Sequence, residues 1–160
     1  MENNFIQLKK DNILRIGIKD ANGVDTGEHL EFDLEDIELP LRLKQCEAKH
    51  YKNVEFVRNQ FVIINKKEDK KGKFYLSSNE EEKIKVLQEF YKREMEALDL
   101  FLGDGGTKKM LGGRKPYLSM YEDINEMLAP ILPKIQIRAE DIMNKIKGKY
   151  GEKKETDVLK

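Results

Sequence analysis

Between Ser78 and Leu128 the chain reads Glu80-Glu-Glu-Lys-Ile-Lys-Val-Leu-Gln-Glu-Phe-Tyr-Lys-Arg-Glu-Met-Glu-Ala-Leu-Asp-Leu-Phe-Leu102, then Gly103-Asp-Gly-Gly-Thr-Lys-Lys-Met-Leu-Gly-Gly113, then Pro116-Tyr-Leu-Ser-Met-Tyr-Glu-Asp-Ile-Asn-Glu-Met-Leu128. In the first segment Ile84, Leu87, Tyr91, Met95, Leu98 and Leu102 recur three or four residues apart, which is one apolar stripe along a helix. Ser78 or Asn79 can cap it, Glu80 to Glu82 suit the positive end of the helix dipole, and Gly103 stops it. The second segment has too many glycines for a continuous helix and predicts a short turn at Thr107 to Leu111 with a bend on either side. The third predicts another helix, opened by Pro116 and broad on its apolar side. Helix, elbow, helix is therefore the frame.

Outward from that frame, residues 13–34 carry the other periodicity. Leu14, Ile16 and Ile18 alternate with Arg15, Gly17 and Lys19, and Leu30, Phe32 and Leu34 alternate after a turn centred on Asn22-Gly23. This predicts an antiparallel β-hairpin whose six apolar side chains pack on the helices, because a lone hairpin is marginal in water. Phe5 to Leu8 reads as a short edge segment. Beyond the hairpin, Pro40 opens a helix whose stripe, Leu43, Cys46, His50, Val54, Val57, Phe61 and Ile64, runs to about Asn65; the β-branched Val54 to Ile64 leaves a strand as the alternative for its end. Pro130 and Pro133 interrupt the chain near Ala129, and a last helix carries Ile131, Ile135, Ile142, Met143 and Ile146 up to Gly148. The expectation is a mainly α domain with a small N-terminal antiparallel hairpin, an α+β fold with a helical core. It spans residues 1–148, with the hairpin at 13–34, helices at about 40–65, 79–102, 116–128 and 131–147, and a mobile charged tail at 149–160.

Composition narrows the function classes. Over 160 residues, 30 basic side chains balance 30 acidic ones, which argues against a general affinity for nucleic acid or anionic lipid. The lysine-rich run Lys66 to Lys73 contains two acids and no interleaved aromatic, and reads as a solvated connecting loop. One cysteine and two histidines cannot assemble a disulfide framework or a Cys/His zinc site within the chain. No apolar run is long enough to span a bilayer, and the first residues do not read as a signal peptide, so the expected location is the cytoplasm. No nucleic-acid or membrane partner is expected.

Three local motifs invite chemistry. Asp20, Asn22, Asp25 and Glu28 are all oxygen ligands, but an EF-hand wants glycine at position six and this loop has Asp25 there, so a plain turn is the better reading. Gly103 to Lys108 superficially resembles a phosphate loop, yet Thr107 precedes the lysine and a helix rather than a strand leads in. Cys46 and His50, four apart, could form a catalytic dyad, but a buried lone cysteine behaves as a small hydrophobe with the histidine packed beside it. No catalytic, cofactor or metal residue is assigned.

One resemblance points to a role. Leu102-Gly-Asp-Gly-Gly-Thr-Lys-Lys-Met-Leu-Gly112, followed by the apolar-acidic helix Tyr117 to Leu128, resembles a segment Phe-Gly-Glu-Gly-Thr-Ser-Lys-Lys-Ile-Phe-Gly of tail assembly chaperones from siphophages and prophages of Gram-positive bacteria. It covers Leu30 to Ile131 loosely and about a dozen positions closely. The resemblance implies a non-enzymatic protein that holds the tape measure protein while tail-tube subunits polymerise, in the cytoplasm of the bacterial host. The rival is a permanent virion component, such as a head-tail connector or tail-completion protein. A hydrolase using Cys46 and His50 ranks third. Client contacts are expected on an exposed face made of Met110, Leu111, Tyr117, Met120, Tyr121 and Met127, with the elbow glycines letting the last helices swing. Free hairpin edges offer one route to a homo-oligomer.

Overall fold

The computed structural model describes residues 4–9 and 11–151. Strands β1 (Ile13–Lys19) and β2 (Asp25–Asp33) precede five helices, α1 (Leu39–Asn65), α2 (Ser78–Leu102), α3 (Gly106–Leu111), α4 (Met120–Leu128) and α5 (Leu132–Tyr150). The protein is mainly α with a small N-terminal antiparallel hairpin. Among the described residues, no helix is long and apolar enough to cross a membrane.

The hairpin pairs Leu14 with Phe32 and Ile16 with Leu30, so the alternating apolar side chains share one face. Its turn is closed by Asp20, whose carboxylate accepts from the backbone N–H of Asn22 and Val24. That consumes the first of the would-be calcium ligands in turn chemistry. Ile18, Leu30 and Phe32 are buried, and Leu14, Ile16 and Leu34 pack against the same core. The contact is made with the end of α2, where the Phe32 and Phe101 rings lie 5.1 Å apart.

Helices α1 and α2 form an antiparallel hairpin. Successive pairs, His50 with Glu94, Phe56 with Arg93 and Lys67 with Glu82, run in opposite directions along the two helices. The β-branched end of α1 is helical throughout, with Ile64 buried. The loop between the helices is held at its base by Asp69, which accepts from the Asn79 N–H and from Ser78 Oγ, while Ser77 caps α2 by accepting from the Glu80 N–H. Phe74 and Tyr75, which follow the lysine run directly, stand exposed at its tip.

Several boundaries differ from the sequence reading. Pro116 does not open α4, which begins at Met120 with its N–H bonded to the Tyr117 carbonyl. Residues 114–119 are held instead by side chains: Arg114 lies over the Tyr117 ring and the Tyr117 hydroxyl donates to Asp123. Gly148 does not end α5, which continues to Tyr150. Glycine costs a helix only about 1 kcal/mol, and Lys147 and Lys149 favour the last turn. Residues 149 and 150, expected in the tail, are thus helical, and 152–160 lie outside the described residues. Phe5 to Leu8 form no strand, and Phe5, Ile6 and Leu8 are exposed. In the α2 stripe Ile84 is largely exposed, whereas Glu94 is 1% exposed.

The elbow is a folded joint. Asp99, on the last turns of α2, accepts from the Gly105 N–H, the Thr107 N–H at 2.9 Å and the Thr107 hydroxyl at 2.7 Å. Gly105 takes the left-handed φ of 73° that starts α3, and Thr107 is fully buried. Gly106 packs so closely that a Cβ there would lie 2.5 Å from Leu102 Cβ. These bonds oppose a swing about Gly103, Gly105 and Gly106; they do not reach Gly112 and Gly113, which lie between α3 and α4. Gly106→Ala should therefore destabilise the protein by about 1–3 kcal/mol, read as a lower midpoint in urea. Gly113→Ala is strained by its φ of 87° but meets no neighbour within 4 Å, so it should cost less.

Candidate functional site

The polar centre of the helical layer is Glu94. Both carboxylate oxygens are engaged: His50 Nδ1 lies 2.6 Å from Oε2, and Asn53 Nδ2 donates to Oε1 at 2.8 Å. His50 and Asn53 sit three apart on α1, so one helical turn presents both to the facing turn of α2. Above them Tyr121, at the start of α4, stacks on the imidazole with centroids 3.4 Å apart and planes within 1°. Three helices thus meet at one buried carboxylate. Sequence reasoning missed it because a glutamate one residue before Met95 counts as the polar side of the helix; the signal available was Asn53, a second polar residue on a stripe-facing position of α1.

The thiol of Cys46 lies one turn before His50 and is buried. Burial first, then the charges of Glu94 and Glu47, push its pKa from 9.0 up to about 11. At neutral pH it is a thiol and not the thiolate a nucleophile needs, while His50 is committed to Glu94 and Tyr121. The geometry gives the dyad no support. Among the described residues, no group of three His, Cys, Asp or Glu side chains is placed to hold a metal ion.

The six expected contact residues separate. Met120 is 1% exposed and belongs to the core with Ile124 and Leu128, so the expectation that it faces solvent is corrected. Tyr121 is half-buried on His50; Tyr117, Met110 and Leu111 are half-buried and pack against the core. Met127 is 63% exposed, and Leu118, which the sequence reading left out, is 81% exposed. Two clefts flank this region. One, about 860 Å³, lies between the first turn of α1 and most of the length of α5 and is lined by Leu34, Ile37, Leu41, Leu43, Ile135 and Met143 among others. The other, about 230 Å³, lies over Glu94 between α1, α2 and the start of α4.

Comparisons with known proteins add no relative: no protein family matches the chain, and neither does any curated protein or solved structure.

Two substitutions on one helix separate core from surface. Met120→Glu buries an unpaired charge and should cost on the order of 4 kcal/mol, lowering Tm by about 10 °C in thermal denaturation. Met127→Glu should stay within about 0.5 kcal/mol of the parent. The raised Cys46 pKa makes a third expectation. Because the folded value lies above 9.0, the stabilisation it represents is complete below pH 9 and is lost as pH rises through about 11. Iodoacetamide at pH 8 should accordingly modify Cys46 slowly in the folded protein and rapidly in urea.

Proposed function

We propose that this chain is a non-enzymatic binding protein of phage tail assembly, a chaperone that holds the tape measure protein while tail-tube subunits polymerise, acting in the cytoplasm of the bacterial host. The observation that carries this reading is the elbow. The residues by which the chain resembles that family include two that build the joint. Gly105 supplies a left-handed backbone, and Thr107, where the family segment has Ser, a buried bond to Asp99; Gly106, which packs close to Leu102, stands where that segment has Thr and departs from the pattern. The resemblance therefore falls on a working joint and not on an incidental run of glycines. Met127 at the end of α4 and Leu118 just before its start remain outside the core, which offers apolar surface to an amphipathic client helix. The chemistry at Cys46 and His50 supplies no competing enzymatic reading.

Co-expression with the tape measure protein of the same phage should raise that protein's solubility and give a joint peak on sizing. Met127→Glu, which leaves the fold intact, should weaken the complex. If neither the tape measure protein nor the tail-tube subunit binds, the reading fails. Mass spectrometry of purified virions separates the rival role, because a chaperone leaves the finished particle whereas a connector or tail-completion protein remains in it.

A further inference from the structure

The loop that joins α1 to α2 is built more tightly than its lysine content suggests. Lys71 and Ser77 form an isolated antiparallel bridge, and beside it the Ser78 N–H donates to the Lys70 carbonyl at 2.7 Å while the Lys70 N–H donates to Ser78 Oγ at 2.9 Å. Residues 72–76 are pinched off beyond that bridge. Among them the Leu76 N–H donates to the Lys73 carbonyl at 3.3 Å, and the two residues between, Phe74 and Tyr75, have φ of 58° and 63°. Positive φ at both central residues is the mark of a type I′ turn, a position that favours Asn-Gly. Neither ring offsets the strain by packing, since Phe74 is 89% exposed and Tyr75 fully exposed. Folding alone gives no reason for an aromatic pair at this turn.

The charges around the rings are of one sign. From residue 70 to residue 77 there are three lysines and no acid. Lys70, Lys71 and Lys73 are exposed, and among the described residues none of the three is ion-paired, whereas Lys67 is held by Glu82. The acids of this end lie outside the bridged segment. Asp69 accepts from the Asn79 N–H, Glu82 pairs with Lys67 and Glu81 with Lys85, while Glu68 and Glu80 are exposed. The tip is thus a local exception to a chain whose charges balance overall.

The lysines select an anionic partner, and the exposure of the rings selects its shape. Single-stranded nucleic acid is bound along a basic groove in which successive bases stack. Rings as exposed as Phe74 and Tyr75 have no wall of this chain beside them. A bilayer surface, by contrast, yields to a projecting tip: rings enter the headgroup boundary and lysines reach the anionic groups around them.

We propose that the turn at residues 73–76 is a contact tip for anionic lipid surfaces, with Phe74 and Tyr75 entering the headgroup boundary and Lys70, Lys71 and Lys73 facing the lipid charges. This goes beyond the tail-assembly reading and does not rest on it.

The test is co-sedimentation of the full chain with mixed phosphatidylserine–phosphatidylcholine vesicles and with phosphatidylcholine vesicles, alongside fluorescence anisotropy of a labelled oligothymidylate. The chain should partition onto the mixed vesicles, several-fold less onto phosphatidylcholine, and less onto the mixed vesicles as salt rises. Lys71→Gln or Lys73→Gln, each removing one charge near the surface, should weaken binding by about five-fold. Replacing both rings, Phe74→Asn with Tyr75→Asn, places side chains that suit a left-handed backbone, so the urea midpoint should hold or rise while vesicle binding falls. Absence of binding to the mixed vesicles, equal partition onto the two vesicle types, indifference to loss of the rings, or binding of the oligothymidylate in place of vesicles would overturn the proposal, whether or not the chain binds a tape measure protein.

Discussion

A carboxylate with 1% exposure dictates what must surround it. Removing Glu94 from water costs several kcal/mol unless its oxygens are bonded and its charge is answered. The two donors come from α1, His50 and Asn53, and the covering ring comes from α4, Tyr121. The register of α1 against α2 follows: a shift by one turn that put Val54 and Val57 in the places of His50 and Asn53 would leave the carboxylate facing apolar side chains with no donor. Hydrophobic burial along Cys46, Leu98, Met120 and Ile124 supplies the larger stabilisation, but it would tolerate sliding. The polar cluster selects one alignment.

The joint at the end of α2 acts in the same manner on the other half of the molecule. Asp99 ties α3 back to the helix it follows, and Gly106 allows the close approach that the β-hairpin also uses, since Leu30 lies against the same point. Tyr121 of α4 lies on His50, and α5 is latched to the segment after β2 by Arg138 and Glu35, whose pKa is lowered by the Asn12 amide and by Arg138. Apolar residues that do not fit beneath these contacts, Met127 and Leu118 among them, are left outside.

The hairpin and the long helices were readable because each buries a single face, and burial writes its period into the sequence: two for Leu14, Ile16 and Ile18, and 3.6 for Cys46, His50 and Val57. Glu94 was not readable, because its partner lies 44 residues away and pairing across helices leaves no local pattern. The width of α4's buried arc was likewise beyond periodicity. Met127 falls only about 20° round the helix from Met120, yet one is exposed and the other is core, since coverage depends on where the neighbouring helices end. Pro116 and Gly148 were read as local punctuation, and in both cases packing or favourable end charges outweighed a local preference of about 1 kcal/mol.

The central claim, that the buried carboxylate and its α1 partners act as one unit that sets the helix alignment, is tested most directly by a mutant cycle in urea. His50→Leu alone leaves Glu94 short of a partner and should cost about 3 kcal/mol or more. Adding Glu94→Met to it removes the uncompensated charge and should recover most of that loss, so the two changes are strongly non-additive. If the single changes each cost less than about 1 kcal/mol and simply add, the carboxylate does not organise the helices and the account is contradicted.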